Sequence, residues 1–429
     1  MEKSTHNKLI LVNITGDDRP GVTAQLMGVL AKHNAFVLDI GQADIHNHLN
    51  LGILFQTCDE CSGNLLKDLL FKGYELDVQI RFTPIEEDEY TRWVEAQGKN
   101  RYIITIVARK ITAEMIQAIA EESAQQGLNI DSIKRLTGRI PLKETQRRPL
   151  ASVEFSMRGT PKDKEALQQA YLDSSARLNM DISFQRESMF RRMRRLICFD
   201  MDSTLIQTEC IDELAIKAGV GDEVKAITES AMRGEIDFTE SFRRRVALLK
   251  GLDVSVMQGI AENLPITEGA GRLLRTLKMI GFKIAVLSGG FTFFGNYLKG
   301  KFPIDYVYAN ELEVEDGKLT GRYLGDVVDG RRKAELLRLI AQVEGVDLMQ
   351  TVAVGDGAND LPMLSIAGLG IAFHAKPKVK VEARQAISTV GLDGILYFLG
   401  YKDSHIEEDP QATPTIEAGE VSGMWNTGK

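Results

Sequence analysis

The densest chemical signal lies where an apolar tetrad, Leu196-Ile197-Cys198-Phe199, runs into Asp200-Met201-Asp202-Ser203-Thr204. A short apolar run of this kind predicts a buried strand. Its carboxyl end would then carry two carboxylates two residues apart. A D-x-D by itself is an acidic turn as readily as a catalytic pair, but three further stations repeat the arrangement. Leu287-Ser288-Gly289-Gly290 closes a second apolar run, and a hydroxyl followed by glycine N–H groups can cradle an anionic oxygen. Lys333 opens a helix over 334–344, where an ammonium beside a helix N-terminus suits a phosphate. Val354-Gly355-Asp356-Gly357-Ala358-Asn359-Asp360 ends a third run with two more acids. All four stations seek oxygen or phosphate, and the carboxyl edge of an open α/β sheet is where ligands bind.

These stations need a sheet to hold them. From 196 onward, short buried-strand runs at 196–199, 283–287, 306–309 and 351–354 alternate with helical patterns, the grammar of a doubly wound α/β domain. Residues 209–276 interrupt it with mostly helical sequence and read as an inserted cap. Upstream, residues 8–85 read as β-α-β-β-α-β. An apolar run at 9–14 precedes the turn Gly16-Asp17-Asp18-Arg19-Pro20-Gly21, and Val22, Leu26, Val29 and Leu30 then mark a helical face. Strand-like runs at 36–45 and 49–57, a second helix through Leu65 and Leu69, and an alternating strand through Val78, Ile80 and Phe82 complete it. Residues 101–187 repeat the pattern at a shift of 93 positions, without the turn: Arg109-Lys110-Ile111-Thr112 stands there instead.

The order D-M-D-S-T, S-G-G, Lys333, G-D-G-A-N-D is similar to the haloacid dehalogenase superfamily, over about 190–400. That resemblance implies Asp200 as nucleophile, forming an aspartyl phosphate, and Asp202 as general acid and base. It implies Mg²⁺ held by Asp200, Asp356 and the main-chain carbonyl of Asp202, with Asp360 supporting the metal shell. An acidic cluster without Cys or His suits this hard cation. Ser288 and Lys333 would hold the phosphoryl group. Within the cap, Q-T-E-C-I-D-E-L-A and M-R-G-E-I-D-F-T-E-S-F-R-R-R-V resemble the phosphoserine phosphatases of that superfamily. This implies phosphoserine as substrate, its ammonium at Glu209 and its carboxylate at Arg245, with the adjacent Arg243 and Arg244 still open as the clamp. Met232 and Phe238 would wall off the pocket, Phe238 being equally readable as cap core. Gly289, Gly290 and Asn359 would complete the phosphate and substrate contacts.

The first repeat resembles an ACT domain on I-T-G-D-D-R-P-G-V. Pro20 and Gly21 force a tight turn, and a helix N-terminus then offers unpaired N–H groups to a carboxylate. Asp18 and Gly21 become candidate contacts for a serine effector. A turn in a dimerisation module is the bland alternative.

Net charge narrows the partners. Six acids against Lys429 at 403–429 supply five of the eight net negative charges, so the rest of the 429-residue chain is nearly neutral. Neither a nucleic-acid footprint nor a large acidic field follows. Four arginines at 191, 192, 194 and 195 read as a solvated linker. Four cysteines make no disulfide framework. Cys58 and Cys61, near His46 and His48, lack the spacing of a zinc site and read as reduced thiols in a cytoplasmic protein. No apolar run approaches the ~18 residues of a membrane helix, and 9–14 is too short for a signal-peptide core.

The expected architecture is a doubly wound Rossmann-like domain with a helical cap, preceded by two ferredoxin-like α+β modules. The boundaries are 1–92, 93–188 (degenerate), 189–402 with its cap at 209–276, and a disordered acidic tail at 403–429. The expected activity is Mg²⁺-dependent hydrolysis of O-phospho-L-serine, the last step of serine synthesis, in a homodimer. The alternatives are a phosphatase or phosphotransferase for another phosphorylated amino acid, or an amino-acid sensor with an inactive phosphatase module.

Overall fold

The computed structural model describes residues 7–95, 100–139, 150–383 and 385–406, the Met232 side chain excepted. The chain divides into two compact units, Met1–Lys99 and Asn100–Lys429.

In the first unit, β1 (Asn7–Asp17), β2 (Phe36–Ile45), β3 (His48–Cys58) and β4 (Val78–Ile85) form an antiparallel sheet in the order β2-β3-β1-β4. Alternation drives it. Ile10, Val12 and Ile14 of β1 face inward, as do Leu49, Leu51, Ile53 and Phe55 of β3. Val22, Leu26 and Leu30 give helix Val22–Lys32 its buried face at four-residue spacing. Gly21 starts that helix at φ 94°, a left-handed conformation that favours glycine, and no side chain caps its first N–H groups. Asp18 is exposed beside it. Cys58 and Cys61, expected as reduced thiols, are instead joined in a disulfide across the first turn of helix Asp59–Glu75. The turn places their Cα atoms 5.3 Å apart, within bridging range.

The second unit opens with the repeat. β5 (Arg101–Ala108), β6 (Asn129–Arg135), β7 (Ala151–Arg158) and β8 (Asp181–Arg186) pair as β6-β7-β5-β8, the same order as the first sheet. The missing turn has acquired another use. Arg109 forms a forked pair with Glu268, at 2.7 and 2.6 Å, tying this module to the following domain. Gln385 grips the Phe184 backbone at both N–H and C=O, and buried Asp181 accepts from Ser388 and Thr389. The degenerate copy is thus built into the catalytic unit.

The main sheet contains β9 (Leu196–Phe199), β10 (Lys283–Phe291), β11 (Tyr306–Glu315), β12 (Lys318–Leu324), β13 (Thr351–Gly355), β14 (Leu369–Phe373) and β15 (Ala386–Ile387). Its order is β12-β11-β10-β9-β13-β14-β15, parallel except for the antiparallel edge pair β11–β12. Layers on both faces explain why β9 and β13 are buried throughout. The cap comprises helices Cys210–Ala218, Gly221–Met232, Phe238–Leu248 and Ser255–Glu262. The expected cap limit of 276 falls inside helix Ala270–Met279, which packs on β10 and belongs to the core.

Two surface readings are corrected. Asp403–Ile406, assigned to the tail, is a short helix; residues 407–429 lie outside the described residues. Buried Asp403 accepts from Arg272 at 3.1 Å, Tyr397 at 2.7 Å and the Gly138 N–H at 2.7 Å. Asp403→Ala should therefore lower unfolding free energy by about 3 kcal/mol, because it strands part of a buried charge network. Urea denaturation checks this, and a loss near zero contradicts the packing role. The linker arginines are not uniformly solvated either: Arg191 and Arg194 are each 5% exposed.

Candidate active site

β9 sets Asp200 at the centre of the carboxyl edge, between β10 with Ser288 and β13 leading to Asp356. Strand pairing runs up to the carboxylate itself, since the Asp200 N–H donates to the Val354 carbonyl at 2.9 Å. Next comes an irregular turn over 201–205, with Ser203 at φ 56°. It folds Asp202 inward, where its carboxylate accepts the Cys210 N–H at 3.3 Å. Any Cβ at Gly290 would collide with that carboxylate, so Gly290 is required for space. Gly290→Ala should lower kcat about a hundredfold through displacement of Asp202, with little change in Tm. Phosphate-release kinetics and calorimetry read the two effects, and unimpaired turnover would contradict the close approach.

Lys333 is fully buried at the start of helix Gly330–Val343. Its Nζ lies 2.9 Å from Asp200 Oδ2 and 2.7 Å from Asp360 Oδ1. Burial pulls its pKa down, but the charges of Asp200 and Asp360 outweigh this and hold it above the ordinary lysine value. Asp360 also accepts the Gly357 N–H at 3.0 Å. One carboxylate oxygen from each of Asp200, Asp356 and Asp360 falls within 4.8 Å of the others. Burial, then the Asp360 charge, pushes Asp200 well above the usual carboxylate range. The same two causes, with Glu209, push Asp356 up to about 7. Crowded hard oxygens at this spacing, sharing one lysine, fit a divalent cation. The Asp202 side chain is not part of this trio.

Ser288 is fully buried, and its Oγ accepts the Gly290 N–H at 2.9 Å. The loop that carries it is pinned by a residue the sequence did not reveal. Buried Asn310 donates to the Gly289 carbonyl and accepts the Val328 N–H, both at 2.8 Å. Thr204, also unanticipated, lies 3.4 Å from Asp356 Oδ1. Asn310 has no motif, and Thr204, though it closes D-M-D-S-T, carried no assigned role; their contacts span 21 and 152 positions.

The cap closes over this edge. Phe238 stacks on Phe242, with ring centroids 6.4 Å apart, and a Cβ at Gly289 would lie 3.0 Å from the Phe238 ring. Phe238 thus both packs in the cap and touches the catalytic loop. Glu209 is exposed and accepts from Ser203 Oγ at 2.7 Å. The three cap arginines separate cleanly. Arg243 and Arg244 are exposed and pair with Glu240. Arg245 is half-buried and turned toward the charges of Asp212, Glu209 and Asp202; burial lowers its pKa and those charges oppose it. Asp212, one turn beyond Glu209, is a further acid of this wall that the sequence did not single out. Met232 ends a cap helix, and its side chain lies outside the described residues. Asn359 is half-buried beside Gly330, whose missing side chain admits the Asn359 backbone. Asp18 and Gly21 belong to the first unit.

Comparison with known proteins agrees with this geometry. The haloacid dehalogenase-like hydrolase family matches residues 197–365, and ACT domains match 8–83 and 101–185. A phosphoserine phosphatase of Streptomyces coelicolor is 40% identical over 93% of this chain and 93% of its own. The chain belongs to the phosphoserine phosphatase family. Phosphoserine phosphatase SerB2 of Mycobacterium tuberculosis, another member, is also 40% identical, over 93% of this chain and 94% of its own. Among solved structures, a probable phosphoserine phosphatase of Vibrio cholerae in unliganded form is 36% identical. It covers 70% of this chain and 86% of its own, with a TM-score of 0.55. Membership accounts for the capped α/β core and for both N-terminal modules. Among the described residues, no helix is long and apolar enough to cross a membrane.

Proposed function

We propose that the protein hydrolyses O-phospho-L-serine to L-serine and phosphate through an aspartyl phosphate on Asp200. One observation carries this reading: a buried carboxylate paired with Lys333 lies beneath a cap that presents Glu209 and Arg245. The family's shared name supports the substrate.

Asp200 attacks phosphorus in line with the serine oxygen, and Asp202 protonates that oxygen as it leaves. Burial and the nearby Glu209 charge push Asp202 up to about 7, so it holds a proton for part of the time near neutrality. Asp202 then takes a proton from the water that opens the aspartyl phosphate. Ser288 Oγ, the Gly289 N–H and Lys333 hold the phosphoryl oxygens, while the Gly290 N–H braces Ser288 Oγ beside them. Glu209 receives the substrate ammonium and Arg245 its carboxylate, while Phe238 and Met232 exclude water and Asn359 flanks the substrate. Asp200, Asp356 and the Asp202 carbonyl, backed by Asp360, would hold Mg²⁺. Bound there, the cation would offset repulsion between the Asp200 carboxylate and the phosphate dianion.

A panel of phosphoserine, phosphothreonine and a sugar phosphate tests the substrate. kcat/KM for phosphoserine should exceed that for the sugar phosphate about a hundredfold, and Arg245→Ala should remove about as much. Comparable rates across the panel would sink the specificity. The reading places the enzyme in the cytoplasm, at the last step of serine synthesis. It includes a homodimer, supported by exposed Phe36, Ile40 and Ile45 on edge strand β2. Serine at Asp18 and Gly21 would act on it as effector; calorimetric titration of the full chain should show binding that Asp18→Ala weakens.

A further inference from the structure

Every covalent path between the cap helices and the core runs through two short segments, 205–209 and 263–269. The two are paired as a miniature ribbon. Ile206 and Ile266 form an antiparallel bridge. The Gln207 N–H donates to the Pro265 carbonyl at 2.9 Å, and the Thr267 N–H donates to the Leu205 carbonyl at 3.0 Å. One strand of the ribbon continues the turn over 201–205 that folds Asp202 inward, and Glu209 stands just past its end. Phe238 of the cap lies against the Gly289 loop, so admitting a substrate requires the cap to shift on this ribbon.

The other strand is anchored from the second module. Glu268 follows the ribbon directly. Its carboxylate takes the Arg109 fork at 2.7 and 2.6 Å, and its carbonyl accepts the Leu392 N–H at 2.8 Å. A Cβ at Gly391 would come within 2.5 Å of that carbonyl, so the packing there is tight. One turn on, Arg272 donates to Asp393 at 3.0 Å and to Asp403 at 3.1 Å, and Asp403 accepts the Gly138 N–H of the second module. The module therefore reaches the cap's exit twice, through Arg109 and through Gly138 with Asp403. At the repeat's shift of 93 positions, Arg109 answers to Gly16, where the turn of the first module begins.

We propose that the second module braces the cap hinge, with Arg109 acting through Glu268 to hold the ribbon where Glu209 and Arg245 meet the substrate over the catalytic edge. Both are positioning residues, and neither touches the reacting atoms. The pair is only part-buried, at 39% and 51% side-chain exposure. Water can replace it at modest cost, so it suits a catch that yields and re-forms as the cap moves. The effect on substrate choice rests on the phosphoserine reading; the brace itself does not.

Arg109→Gln and Glu268→Gln, singly and together in the full chain, test this on phosphoserine and on 4-nitrophenyl phosphate, which offers the cap neither ammonium nor carboxylate. Each single variant should lose about fivefold in kcat/KM for phosphoserine, the scale of one well-formed exposed ion pair, and nothing on 4-nitrophenyl phosphate. The double variant should lose no more than either single, because one interaction is removed. Without substrate, amide exchange over 205–208 and 264–268 should quicken about fivefold in Arg109→Gln, while the Asp200 N–H, paired inside the main sheet, keeps its rate. Equal losses on both substrates, additive losses, or wild-type exchange across the ribbon overturns the proposal. A wild type inert on phosphoserine removes the proposed function alone, and the exchange measurement still decides the brace.

Discussion

Asp200→Asn is expected to lower kcat for phosphoserine by about 10⁴-fold or more, the scale seen when a covalent nucleophile is removed. The amide matches the carboxylate in shape and can still accept the Met201 N–H, which Asp200 Oδ1 accepts at 2.7 Å. Lys333 keeps its second carboxylate, Asp360, at 2.7 Å. The substitution also relieves repulsion from Asp360 and Asp356, whose charges already push Asp200 upward. Stability should therefore hold or rise slightly while turnover disappears. Steady-state kinetics beside a calorimetric melt reads both. Hydrolysis that survives refutes the nucleophile assignment.

Lys333→Met carries the second large effect. It deletes the buried ammonium and leaves Asp200 and Asp360 facing each other without it. Breaking a buried ion pair from one side costs about 3–5 kcal/mol, and the loss should appear in urea denaturation of the metal-free chain. Turnover should fall with it, since the same ammonium would hold a phosphoryl oxygen. Adding Asp360→Asn to Lys333→Met should return part of the stability, because one of the two stranded charges and the repulsion between them are removed, but none of the activity. A stable Lys333→Met single variant would contradict the ion-pair geometry.

Much of this site was legible because its chemistry is local. Asp200 and Asp202 share one turn, and Asp356 and Asp360 share another, each following a fully buried strand. The first sheet was readable for a similar reason, since β1 carries an apolar run and β3 alternates strictly. What stayed hidden depends on distant partners. Asn310 matters because β11 lies beside β10, and nothing near residue 310 says so. The arginine segment misled because charge suggested solvent; Arg191 and Arg194 are three apart, on the face that meets Glu154 and Gln185. Asp403 looked like the start of an acidic tail because its partner Arg272 lies 131 positions away. In the cap, the sequence favoured Arg245 but left Arg243 and Arg244 open, and Glu240 takes those two.

The central claim is best tested by phosphate release from O-phospho-L-serine, measured with the purified chain in excess Mg²⁺ and again in excess chelator. Continuous release with Mg²⁺, lost on chelation and restored by adding the ion back, is the expected result. No release with Mg²⁺ present, or equal release in both conditions, would contradict it.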